Sequence, residues 1–168
     1  GAAIQAPIKI LNCNAGFKGR KGTLYEGGIR VPFIVNQPGM VPIQTLDNLI
    51  YFPDMMPTLA ALAKGTKHLP KQINGINILP LFYGKQVDTD NRLLYWEFPG
   101  KQRAARKGDW KCVTIHPNQP LELYNLKEDP EETNNLAKKY PRRVKEFDEE
   151  MQRMHIPTPN WPQPGEQF

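Results

Sequence analysis

Lys21 stands in the most chemically loaded stretch of the chain, Lys18-Gly19-Arg20-Lys21-Gly22-Thr23-Leu24-Tyr25-Glu26-Gly27-Gly28-Ile29-Arg30-Val31-Pro32. Glycine adopts backbone angles closed to other residues and lets the main chain come near a ligand, so Gly19, Gly22, Gly27 and Gly28 suit a loop drawn close to an anion. A lysine on such a loop is a flexible point charge fitted to phosphate or sulfate. Lys18 and Arg20 add positive charge to the same field. The same letters also suit a solvated basic turn between strands, and residue chemistry alone leaves both readings open. Glu26 and Arg30, separated by Gly27-Gly28-Ile29, are spaced to form a buried ion pair that orders the lysine loop from behind.

The other reactive side chains are dispersed. Cys13 and Cys112 give neither a disulfide framework nor a metal spacing and are expected as free thiols, the first in a loop and the second in a strand. His68, His116 and His155 lie far apart with no cysteine or carboxylate at ligand spacing, so no metal site is expected among them and each reads as a surface or loop histidine. Trp96 and Trp110 fall on expected strands and read as core, whereas Trp161, in a proline-rich tail over 158–165, is placed to stack on a sugar ring at a rim. Asp47-Asn48 and Asp90-Asn91 read as turn or cap residues.

The elements that must carry these groups read as follows. The run Ile29-Arg30-Val31-Pro32-Phe33-Ile34-Val35, rich in β-branched and aromatic residues, predicts a buried strand, with Pro32 unsuited to a central hydrogen-bonded position. Asp54 is expected to cap a helix whose Met55, Leu59 and Leu62 share one face, with Pro57 tolerated in the first turn. Residues 64–92 read as a largely irregular connection. Short runs over 93–98, 103–107, 110–116 and 121–126, separated by Pro99-Gly100, Lys107-Gly108-Asp109 and Pro117-Asn118-Gln119-Pro120, predict an antiparallel meander. Glu128-Asp129-Pro130 is expected to open a helical turn. A longer helix starts near Pro141, and its Val144, Phe147, Met151 and Met154 form one apolar stripe to pack on the sheet.

With 168 residues, 39% hydrophobic and 23% charged, the composition fits one soluble compact unit rather than a disordered chain. Seventeen prolines and thirteen glycines imply short elements and many loops, as in a subdomain wrapped around a larger partner. A net charge of +5 favours acidic partners, of which a sulfated glycan is one. Nucleic acid is not expected: basic residues are dispersed, and the densest cluster, Lys138-Lys139-Tyr140-Pro141-Arg142-Arg143, is broken by proline at a helix start. No membrane segment is expected either, because no apolar stretch approaches the roughly 20 residues that span a bilayer.

The string from Lys21 to Pro32 closely resembles the lysine-containing signature of the sulfatase family, the formylglycine-dependent arylsulfatases. Further stretches resemble the family in the same order: Asp54-Met55-Met56-Pro57-Thr58-Leu59, Gly75-Ile76-Asn77-Ile78-Leu79-Pro80-Leu81, Leu94-Tyr95-Trp96-Glu97, Ala105-Arg106-Lys107-Gly108-Asp109-Trp110-Lys111, and Leu123-Tyr124-Asn125-Leu126 through Asp129-Pro130-Glu131-Glu132-Thr133-Asn134-Asn135-Leu136. The likeness spans roughly residues 14–145. It implies an α/β chain, α+β within itself: the C-terminal part of an alkaline-phosphatase-like sulfatase fold, with a small antiparallel sheet and a C-terminal helix. Residues 1–92 would end the catalytic domain and 93–168 would form the C-terminal subdomain.

By the same resemblance the parent protein is a sulfuric ester hydrolase. Lys21 would donate to a sulfate oxygen, Lys18 and Arg20 would help bind substrate, and Glu26 and Arg30 would order the loop. The substrate would be a sulfated small molecule or glycan. The family's nucleophile is a formylglycine made from Cys/Ser-x-Pro-x-Arg, but Cys13 precedes Asn14-Ala15-Gly16 and Cys112 precedes Val113-Thr114-Ile115, so neither fits. The family's calcium is held by an early Asp-Asp and a later Asp-Asn-Gly; neither has a counterpart before Lys21. Gly1 stands about where that Asp-Asn-Gly would end. The chain therefore reads as a C-terminal piece, inactive alone, whose partner is an N-terminal sulfatase domain carrying nucleophile and calcium ligands. An exported or lysosomal compartment is implied by the family only. A non-catalytic sulfatase-like module and a phosphate or phosphonate hydrolase of the same superfamily are the alternatives.

Overall fold

The structure is a computed structural model and describes residues 12–98, 102–159, 162 and 166–167. Gly1, the Pro99-Gly100 turn and Trp161 lie outside the described residues. The chain divides into two compact units, one combining residues up to Val31 with those from Leu93 onward, the other comprising Pro32–Arg92. The lysine segment thus belongs with the sheet rather than with the residues that follow it in sequence.

The first unit is built on an antiparallel meander of four strands, β1 (Leu93–Phe98), β2 (Gln102–Lys107), β3 (Trp110–Thr114) and β4 (Glu122–Asn125), in the order β1-β2-β3-β4. The register pairs Ala105 with Cys112 and Cys112 with Leu123, and Ala104 with Val113. Successive side chains alternate between faces. Ala105, Cys112 and Leu123 meet Phe147 and Met151 on one face, while Ala104, Val113 and Tyr124 meet Leu24 and Tyr25 on the other. The four expected strands form within two residues of their predicted ends. The C-terminal helix, Pro141–Met154, begins with proline at the first helical positions as expected, and Phe147 and Met151 of its apolar stripe are buried on the sheet. Trp96 packs at the margin of the lysine-side cluster, and Trp110 stands edge-on to Tyr140 at 5.3 Å beneath the Arg143 guanidinium.

Two expectations fail and a third holds only in part. No strand forms over 29–35: Glu26–Ile29 makes a single helical turn, here α1, and the chain then runs on outside any sheet, with Ile34 86% exposed. A strand is completed by neighbours, and among the described residues this segment has none to pair with. Asp54 stands at the N-cap position of α2, the helix Met55–Leu62, as expected, but its side chain makes no capping hydrogen bond there. It ends a short 3-10 turn, reaching back to the Tyr51 N–H at 2.9 Å, and holds Arg92 through Nη1 and Nη2 at 2.5 and 2.6 Å while accepting from the Ile76 N–H. Pro57 and Thr58, whose hydroxyl accepts from the Ile78 N–H at 3.0 Å, are the buried residues of α2, and Leu59 and Leu62 are exposed instead of forming its buried stripe. Residues 64–92 are mostly irregular apart from a 3-10 turn at Thr66–His68 and α3, Leu79–Phe82. The C-terminal helix is α4.

Glu128-Asp129-Pro130 opens a single turn, closed by the Glu132 N–H on the Asp129 carbonyl at 3.2 Å, that no helix continues. The Asp129 carboxylate accepts from the backbone N–H of Thr133 and Asn134 and from the Thr133 hydroxyl. That local bonding competes with helix formation and leaves Glu132 at φ 56°, in the left-handed region.

Candidate functional site

The lysine segment lies on the sheet face that carries Gln102, Lys111, Glu122 and Tyr124. Its tip is a turn in which the Thr23 N–H donates to the Arg20 carbonyl at 3.0 Å, and Gly22 at φ +94° supplies a conformation that side chains disfavour. Lys21 sits exposed on that turn and, among the described residues, its ammonium makes no hydrogen bond or ion pair. Gly28 has a different purpose from the one expected of it. A Cβ there would collide with the Thr23 carbonyl and stand 2.7 Å from that of Arg20, so this glycine lets the chain's own loop, not a ligand, approach. The Asn14 side-chain amide donates to the Gly19 carbonyl.

Lys18 is turned onto the sheet. Its Nζ donates to the Tyr124 hydroxyl at 2.8 Å, lies 3.4 Å from Glu122 Oε2 and stands 4.1 Å over the Tyr25 ring. Glu122 also accepts from the hydroxyls of Tyr25 and Tyr124, each at 2.7 Å. Burial alone would raise the Glu122 carboxyl; the two hydroxyls and the ammonium outweigh it and hold the group below the usual carboxylate range. Arg20, beside Lys21, is exposed.

Glu26 is buried as expected, but its principal partner is not Arg30. Lys111 Nζ, on a side chain that is 0% exposed, donates to Glu26 Oε1 at 2.9 Å, while Arg30 at 3.7 Å and Arg106 at 3.9 Å approach Glu26 Oε2 from the rim. Lys111 Nζ is also 2.9 Å from Glu132 Oε1, a charge contact without hydrogen-bond alignment, and Glu132 Oε2 accepts from the Glu26 backbone N–H at 2.7 Å. One buried ammonium therefore joins the start of α1, strand β3 and the Asp129 turn. Burial pushes the Glu132 carboxyl up, against the pull of Lys111. Lys111 and Glu132 both stand in the family-like stretches of the sequence, and the alternation that buries Val113 on the lysine side puts Lys111 there too; their meeting has no local signal.

His155 is not a plain surface histidine. Its Nδ1 meets Glu97 at 2.5 Å and its Nε2 meets Glu166 at 2.6 Å. Burial opposes its charge, and the two carboxylates more than offset that and raise its pKa above the ordinary value. A raised histidine stabilises the fold fully below about pH 6.5, its unfolded value, and loses that contribution as pH climbs through the folded value. The melting-temperature gap between wild type and His155→Gln is accordingly expected to be widest near pH 6 and to close above the folded pKa, as a series of thermal melts at stepped pH would read. His68 and His116 are exposed. Cys13 and Cys112 are free thiols, the latter buried in β3 with its pKa pushed up to about 12 by desolvation. Among the described residues no group of three or more His, Cys, Asp or Glu side chains could hold a metal ion. No helix among them is long and apolar enough to cross a membrane.

Residues 17–156, from the residue before Lys18 to the one after His155, match the family described as N-sulphoglucosamine sulphohydrolase, C-terminal. The chain belongs to the sulfatase family. A sulfatase of Formosa agariphila is 30% identical over 167 residues, covering 84% of this chain and 30% of that protein. Arylsulfatase K of Gallus gallus is 30% identical over 143 residues, 76% of this chain and 26% of that protein. Among solved structures, one from work on the metabolism of multiple glycosaminoglycans by Bacteroides thetaiotaomicron superposes with a TM-score of 0.72 at 27% identity, over 87% of this chain and 34% of that one. Ps i-CgsB in complex with k-i-k-neocarrahexaose superposes with a TM-score of 0.73 at 25% identity, over 88% and 34%. The chain thus corresponds to the C-terminal part of a sulfatase and spans about a third of the length of such relatives.

Proposed function

We propose that this chain completes the active site of a sulfatase that hydrolyses sulfate esters, with Lys21 as its contribution to the chemistry. The observation that carries the reading is the placement of Lys21: an exposed lysine, unpaired among the described residues, on a glycine turn whose flanks are fastened to the sheet. A free ammonium held at a fixed place can donate to a sulfate oxygen and stabilise charge as the S–O bond breaks. Arg20 adds to that field. Lys18, expected as a further substrate contact, acts mainly by tying the loop to β4, and Glu26 with Arg30 orders the loop from below.

The formylglycine nucleophile and the calcium ligands belong to the N-terminal sulfatase domain, and the chain alone is inactive. Calcium in the complete enzyme supplies neutralisation of the sulfate oxygens; none of the described residues fits it, and the role of Lys21 does not pass through it. In this reading residues 1–92 are the end of the catalytic domain and 93–168 the C-terminal subdomain, with the segment up to Val31 packed on the subdomain's sheet. The exposed apolar side chains of Phe33, Ile34, Met56, Leu59 and Leu62 suit burial against the N-terminal domain, where the run over 29–35 would find its missing strand neighbours.

A sulfated saccharide is the substrate class favoured by the relatives, one of which is an N-acetylgalactosamine-6-O-sulfatase of Bacteroides thetaiotaomicron at 29% identity. The test is to assay the complete polypeptide on sulfated saccharides, aryl sulfates, and matched phosphate and phosphonate esters. Sulfate release is expected. Faster release of phosphate would make it a hydrolase of the other superfamily branch, and no release from any ester would make it a non-catalytic module.

A further inference from the structure

The turn that bears Lys21 has little local support on its inner side. Gly22, at φ +94° with open space where a Cβ would lie, contributes no side chain to fasten it. Arg20 and Thr23 bond to each other on an exposed rim. What grips the turn from inside is a side chain 80 residues away: Gln102 Nε2 donates to the Gly22 carbonyl at 2.9 Å, and Gln102 Oε1 accepts from the Leu24 N–H at 3.2 Å. One planar amide thus engages the main chain on both sides of Thr23, immediately after Lys21. Reversing the amide would set donor against donor and acceptor against acceptor, so only this orientation satisfies both ends.

The anchor is itself well seated. Gln102 opens β2, paired with Phe98 across β1, and lies on the same face as Ala104, which packs with Leu24 and Tyr25. Gln102 and Leu24 are both buried, so water does not readily replace a lost bond and the Leu24 N–H would be left without a partner. The tethers through Lys18 and Glu26 act three residues before and five residues after Lys21; the Gln102 contacts act at one and three.

We propose that Gln102 is the positioning residue of Lys21, its buried amide clamping Gly22 and Leu24 so that the ammonium is presented at one fixed place. This rests on the reading of Lys21 as the sulfate-binding lysine. Gln102 touches no substrate; it acts through the turn.

The test uses the complete polypeptide and a double-mutant cycle. Gln102→Met keeps the length and apolar stem of the side chain and removes both hydrogen bonds; Gln102→Glu keeps the acceptor for Leu24 and loses the donor to Gly22. Misplacing a catalytic group by about 1 Å costs up to ~10²-fold, so Gln102→Met is expected to lower kcat by ~10- to 100-fold with KM changed by less than about threefold, and Gln102→Glu to fall between it and wild type. In a Lys21→Ala background, Gln102→Met is expected to change kcat by less than about twofold, because the group it positions is gone. Equal losses in both backgrounds would mean a general structural role and would overturn the proposal. Hydrogen exchange of the peptide spanning residues 22–25, read by mass spectrometry, provides a measurement independent of turnover. Faster exchange in Gln102→Met supports the clamp even if the wild-type polypeptide releases no sulfate, an outcome that would instead defeat the sulfatase reading. Unchanged exchange overturns the clamp whatever the activity.

Discussion

Lys21→Ala in the complete polypeptide is expected to reduce kcat for sulfate ester hydrolysis by ~10²-fold or more, the usual effect of removing one preorganised charge from an anion site. Folding should be untouched, because the side chain is exposed and makes no hydrogen bond or ion pair among the described residues. That combination is the informative one: a variant that unfolds at the wild-type temperature yet turns over poorly places the defect in the chemistry. Lys21→Arg is not expected to restore the rate, since a planar guanidinium presents its donors in a fork and at a different distance from the backbone than a compact ammonium. Steady-state kinetics on one sulfate ester, paired with thermal melts of each variant, would check it, and a wild-type rate for Lys21→Ala would remove Lys21 from the mechanism.

Lys111→Met is expected to have the opposite profile, a large loss of stability. The Lys111 side chain is fully buried and serves two carboxylates, Glu26 and Glu132, whose own side chains are 5% and 0% exposed. Removing the one ammonium leaves two buried carboxylates, with Arg30 and Arg106 only at 3.7 and 3.9 Å from Glu26 and, among the described residues, no other cation against Glu132. Breaking a buried ion pair in this way costs on the order of 3–5 kcal/mol. The deficit should depend on pH. Burial already raises the Glu132 carboxyl, and without Lys111 its pKa rises further, so the folded state of the variant binds more protons than the unfolded chain and its stability falls as pH rises. Denaturant unfolding at pH 5 and pH 8 is therefore expected to give a larger gap between wild type and variant at pH 8. Adding Glu26→Gln and Glu132→Gln to Lys111→Met should recover much of the loss, because the orphaned charges then disappear. An unchanged midpoint for Lys111→Met alone would show that the buried cluster contributes nothing to stability.

Much of the architecture is legible in the order of the residues. Alternating apolar residues broken by Lys107-Gly108-Asp109 and Pro117-Asn118-Gln119-Pro120 determine a meander, since a period of two buries one face and each turn reverses the chain. The spacing of Val144, Phe147, Met151 and Met154 determines a helix and the side it buries. The string from Lys21 to Pro32 carries the family. Where the sequence pattern misleads, a partner is missing or a polar bond outranks an apolar stripe. The β-branched run over 29–35 does not make a strand without neighbours, and α2 buries Thr58, bonded like Asp54 to the segment over 76–78, rather than the face of Leu59 and Leu62.

The support of the lysine loop was decided by tertiary structure alone. Periodicity says that Gln102, Lys111, Glu122 and Tyr124 share a face of the sheet. It does not say which segment lies across that face, and the bonds that answer the question join residues 78 to 106 positions apart. Local sequence determines the shape each segment can take and the side it offers, because those depend on nearest neighbours along the chain. Which buried charge meets which, and therefore where Lys21 is held, follows only when the segments have packed.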